Sequence, residues 1–185
     1  MSMTPRRPFL ATALGVVALL ASLAAGQDVT PARAVAIFID DFHIAFRSTP
    51  TLRRNLAPAM EQLVAAGRMV SVVSDGPSSI SQPLTTDREL LLQLVRNQVV
   101  GHGLITLAGV EPTAAERAKL QAVAQETLRD VVNNFTSPRV APKFRVQLDG
   151  VLYVTERELP VSDLGVPIVV TRPEGIVMAV GELLR

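Results

Sequence analysis

Apolar and polar positions divide this chain into stretches of two different periods. The run from Ala34 to Ile39 is wholly apolar and ends abruptly in Asp40 and Asp41. An unbroken run of that kind predicts a strand buried on both faces. Carboxylates at its carboxyl end sit where open α/β sheets keep their ligand crevices. The period then changes. Leu52, Leu56, Met60, Leu63 and Val64 recur at helical spacing as far as Gly67, with Pro58 inside the pattern expected to kink the helix or delay its start. Met69 to Val73 reads as a second buried strand, Gly76-Pro77 as a turn, and Ile80 to Leu84 as a short edge strand, since Pro83 is tolerated only at an edge.

Two helices open with capping-box spacing, Thr86 with Glu89 and Thr113 with Glu116. The first is expected to run to about Val100 and to bury Leu90, Leu91, Leu94 and Val95. The second carries one apolar stripe, Leu120, Val123, Ala124, Leu128 and Val131. After a Pro-containing loop over Ser137 to Lys143, Val151 to Thr155 and Ile168 to Thr171 read as further strands, and Pro173 begins a last helix reaching Leu184. The alternation predicts an α/β fold: a doubly wound, mostly parallel sheet with helices on both faces and one short antiparallel edge strand. One stretch competes with this. Phe144, Val146 and Leu148 alternate before Asp149-Gly150, so Phe144 to Val154 also reads as a local hairpin.

The amino terminus has a different character. Arg6 and Arg7 precede an uncharged apolar run from Phe9 to Ala25, followed by Gly26, Gln27 and Asp28. This is the order of an export signal over residues 1–26, leaving a single domain over 27–185. Cleavage after Ala24, Ala25 or Gly26 fits equally. Arg6 to Leu10, RRPFL, also has the form of a twin-arginine signal, although Pro5 stands where that pattern prefers Ser or Thr. The alternative is a retained membrane anchor, for which the run is short of the ~20 residues a span needs. The expected location is periplasmic or secreted. The chain has no cysteine, which excludes disulfides, thiolate metal sites and cysteine nucleophiles. Loss of Arg6 and Arg7 with the signal takes the formal charge from +1 to −1. That balance argues against nucleic acid as a partner. There is no Trp and little aromatic content to stack bases or sugars.

The segments IFIDDFHIAFRSTPTLR, VSVVSDGPSSI and PLTTDRELL, with the later VLYVTE and LGVPIVV, resemble the bacterial exported branch of von Willebrand factor type A (vWA) domains over most of Arg33 to Arg185. The resemblance implies an open sheet and a metal-ion-dependent adhesion site above its first strand. In that site an Asp-x-Ser-x-Ser motif, a Thr and a further Asp hold a divalent cation, and oxygen ligands and waters suit Mg²⁺. Carried onto this sequence, Asp40 matches the first aspartate, Phe42 and Ile44 stand at the serine positions, Thr106 is the nearest threonine, and Glu156 stands at the last aspartate. In a frame shifted to Asp41, His43 and Ala45 take the serine positions. The resemblance therefore implies a degenerate adhesion site and a non-enzymatic module that binds a protein partner without metal. Asp40, Asp41, His43, Ser74 and Asp75, with Thr106 and Glu156, are the expected contributors to its ligand face.

Two other functions stay open. Asp40, Asp41 and His43 as ligands would make a metal-assisted hydrolase. An envelope assembly subunit, forming homo-oligomers through Ile176 to Leu184, is the third reading. Asp75 to Ser79 reads either as an anion-binding turn or simply as the turn after a strand, and His102, between Gly101 and Gly103, as a surface turn. Neither a phosphate-binding P-loop nor a Gly-x-Ser-x-Gly nucleophile elbow is present. Ser78 or Ser79 with His43 and Asp40 can be imagined as a triad, on nothing more than proximity in the expected fold.

Overall fold

The computed structural model describes residues 31–103, 112–136, 146–157, 161 and 163–185. The export signal, Thr106, Phe144 and the loop from Ser137 to Lys143 lie outside these residues. Five strands form one sheet: β1 (Ala32–Ile39), β2 (Met69–Ser74), β3 (Ser81–Thr85), β4 (Val146–Val154) and β5 (Ile168–Thr171), in the spatial order β3-β2-β1-β4-β5. β2, β1, β4 and β5 run parallel, and β3 pairs antiparallel with β2 at one edge. The helices are α1 (Thr49–Ala65), α2 (Arg88–Asn97), α3 (Ala114–Thr136) and α4 (Ile176–Leu183). Among the described residues no helix is long and apolar enough to cross a membrane.

β1 explains its own composition. Every residue from Ala34 to Ile39 is fully buried. Side chains alternate across a strand. Val35, Ile37 and Ile39 therefore enter the core formed with α1, α2 and α4, while Ala34, Ala36 and Phe38 enter the one beneath α3. α3 supplies Ala124, Leu128, Val131 and Val132 to that second core. Each large side chain so buried contributes about 2 kcal/mol. This is the doubly wound, mostly parallel architecture that the alternation predicts. The connection out of β1 runs through α1 on one face, and that into β4 through α3 on the other. The β1–β4 boundary is therefore the switch point where such sheets open a crevice.

Three local expectations are corrected. Of the two effects expected of Pro58, the delayed start does not occur, since α1 begins at Thr49 with Pro50 in its first turn. Pro58 is exposed, so water can satisfy the carbonyl that its missing N–H leaves free. The cap of α2 is Asp87, not Thr86: its carboxylate accepts from Leu90 N at 3.0 Å. Leu92 is buried, whereas Leu90, expected inside, is 40% exposed. At the second box, Thr113 and Glu116 cap α3 reciprocally, Thr113 N donating to Glu116 Oε2 at 2.7 Å and Glu116 N to Thr113 Oγ1 at 3.2 Å.

The third correction concerns Asp149-Gly150, which is not a hairpin turn. β4 runs straight through it, parallel to β1, with a register shift opposite Ala34/Val35. The irregularity serves two contacts. The buried Asp149 carboxylate accepts from Arg33 Nε at 2.8 Å and Arg68 Nε at 2.7 Å. At Gly150 a Cβ would lie 2.6 Å from Leu183 Cδ2 and 2.7 Å from Pro167 O, so only glycine admits that approach.

Candidate functional site

The strand register that buries Phe38 also places Asp40. Phe38 faces α3 and stacks on Tyr153, its partner on β4, with ring centroids 5.0 Å apart. Two residues on, Asp40 points to the same face and is completely buried. Its backbone N–H extends the β1–β4 ladder to Val154 O at 3.0 Å. Period-two spacing on β4 brings Tyr153 and Thr155 to the carboxylate together. Tyr153 OH and Thr155 Oγ1 each donate to Asp40 Oδ2 at 2.9 Å. The turn after β1 folds back to add His43, whose Nδ1 lies 2.7 Å from Oδ1 and 2.8 Å from Oδ2 and whose backbone N–H reaches Oδ1 at 3.2 Å. With both carboxylate oxygens acting as acceptors, Nδ1 carries the imidazole hydrogen.

Asp41 points elsewhere. Its Oδ2 accepts from Ser78 N at 2.9 Å and lies 3.5 Å from His102 Nδ1, while Oδ1 has no partner. Gly76 is glycine for this reason, since a Cβ there would lie 1.6 Å from Asp41 Oδ1. The Asp41 carbonyl accepts from His102 N at 2.8 Å and Gly103 N at 3.1 Å, so residues 101–103 are bound to the β1 turn. His102, read from sequence as a surface turn, thus belongs to the site.

Asp75 stands just past the end of β2, two residues beyond Val73, which pairs with Phe38. It reaches the same face as Asp40. Burial, then the charges of Asp40 and Asp41, push its pKa up to about 8, and both its carboxylate oxygens are buried with no hydrogen-bond partner among the described residues. Like charges in one buried site cannot all ionise. Burial likewise raises the pKa of Asp41, against the lowering effect of Ser78 and His102. Tyr153 is pushed well above the ordinary phenol range by burial and by Asp40, so it stays a donor.

The remaining candidates hold backbone. Ser74 Oγ accepts from Ile80 N at 2.9 Å and closes the turn before β3. Glu156 clamps the loop after β1, its Oε2 accepting from Ala45 N at 2.9 Å and its Oε1 from the Ser48 hydroxyl. Between these two anchors the 3-10 turn Phe46–Ser48 presents Phe46, 66% exposed.

Asp40, Asp41, His43 and Asp75 are therefore brought together, whereas Ser74 and Glu156 serve the loops beside them. Sequence reasoning missed Tyr153 and Thr155, although their alternation in VLYVTE was a usable sign. The imagined triad does not form. His43 Nε2 has no partner, and the hydroxyls of Ser78 and Ser79 donate to the carbonyls of Val100 and Gly76.

The implied adhesion-site cation meets a poor donor set. The Asp40 carboxylate faces two hydroxyls, an imidazole N–H and a backbone N–H where a cation's other ligands would stand. At the serine positions Ile44 is part of the main core and Phe42 offers no oxygen. Among the described residues no group of three or more His, Asp or Glu side chains is arranged to hold a metal ion. The donors around Asp40 and the side chains at the two serine positions do not fit the ion. Neither models of known protein families nor curated proteins match this sequence.

Proposed function

We propose that the chain is an exported, non-enzymatic protein-binding module of the vWA type, working without a metal ion. The observation that carries this reading is Phe46. It is a large aromatic held out from the ligand face of the sheet on a turn fixed at both ends by Glu156. Rigid exposed aromatics make good anchors because they bury much area at little entropic cost. The buried Asp40–His43–Tyr153–Thr155 network supports the same reading. It replaces an open cation position with a closed knot of hydrogen bonds, which stiffens the loop that carries Phe46. Export follows from the signal-like order of residues 1–26.

The test is a photoreactive phenylalanine analogue placed at position 46 of the chain in its native cell. A control carries the analogue at Arg129, exposed on α3. A discrete protein adduct from position 46 in the exported fraction, with none from position 129, is the expected result. No adduct from position 46, or equal labelling from both positions, would contradict the reading.

A further inference from the structure

We propose that α4 is a homodimerisation element, pairing antiparallel with the same helix of a second copy about a two-fold axis. One side of α4 is spent inside the molecule, where Ile176, Ala179, Val180 and Leu183 join the core with α1 and β4. Its other side holds Met178, which at 79% is the most exposed large apolar side chain among the described residues. Gly181 lies one turn further along that side. Glycine in a helix interior is unfavourable. Where it occurs, a close approach or a special backbone angle usually explains it, and Gly181 has neither among the described residues. Its φ is not left-handed, and a Cβ there would meet nothing within 4 Å. The notch is open and faces outward.

The two features complement each other. An antiparallel copy whose axis passes between Ala179 and Val180 seats each Met178 on the opposite Gly181. The same axis sets exposed Glu174 of one copy against exposed Arg185 of the other, twice by symmetry. A two-fold contact requires this kind of self-complementarity, with residue i meeting j and j meeting i. A parallel pairing would set Met178 against Met178 and like charges against like. The element spans only ~12 Å, so the contact is smaller than a standard interface and the dimer is a weak one.

Sedimentation equilibrium of the purified chain, from about 10 µM to about 1 mM, tests this in the range where a small interface associates. The expected result is an average mass rising toward twice the monomer. Met178→Glu and Gly181→Leu should each abolish that rise while leaving the circular dichroism spectrum unchanged, because both positions are open to solvent. Glu174→Arg should weaken association about tenfold, an ion pair's worth, and Glu174→Arg with Arg185→Glu should restore it. A monomer at every concentration overturns the proposal. So does association that survives both Met178→Glu and Gly181→Leu, since the interface then lies elsewhere.

Discussion

Asp75 is the residue whose chemistry departs furthest from its sequence appearance. In SDGPSS it looks like the polar first residue of a turn. In the fold it shares a buried corner with two other carboxylates, and its proton is retained up to about pH 8 against an ordinary value of 3.8. The folded state therefore holds this proton where the unfolded chain has released it. Stability attached to the neutral carboxyl is fully present below about pH 4 and is lost as pH rises through 8. Asp75→Asn, permanently neutral, should match the parent chain at pH 4 and exceed it at pH 9 by about 2 kcal/mol or more in urea unfolding. An equal pH dependence in both proteins would mean that Asp75 ionises freely. Asp40 and Asp41 were legible in the sequence because an apolar run stops on them. Their partners were not, since Tyr153 and Thr155 lie more than a hundred residues away and meet Asp40 only through the β1–β4 register.

At the level of elements, periodicity gave the order of the strands and α-helices in the described residues, but β4 begins at Val146 rather than Val151, and the errors fell where side chains override local preference. The β4 hairpin reading failed because Asp149-Gly150, a strong turn pair by itself, is held extended by Arg33 and Arg68 and by the close packing of Leu183. Gly150→Ala puts a methyl against the Pro167 carbonyl, a backbone atom that cannot swing aside. It should cost about 1–3 kcal/mol of stability in denaturant titration. A neutral result would mean that β4 can shift and that its register is less fixed than the bulge implies. The α2 cap failed for a smaller reason. Asp87, one residue past the predicted Thr86, accepts from Leu90 N–H, and separately the face that packs on the core includes Leu92 rather than Leu90.

For the whole molecule, the sheet order places the carboxyl ends of β1, β2 and β4 together, and three buried aspartates gather there. Elsewhere this arrangement invites a cation. Here hydroxyl, imidazole and backbone N–H donors meet the Asp40 carboxylate, and the two most exposed large apolar side chains among the described residues are Phe46, on the loop after β1, and Met178, on α4. The sequence could place the carboxylates but not say which way their donors point, because that depends on tertiary register.

The most direct measurement is thermal unfolding of chelator-treated protein with added Mg²⁺, Ca²⁺ or Mn²⁺, beside an Asp40→Asn variant. A cation present at 100 times its dissociation constant for the native state would add about 2.7 kcal/mol. No rise in Tm is expected with any of the three ions in the parent protein. A rise that Asp40→Asn removes would contradict it and make this an ion-dependent adhesion site.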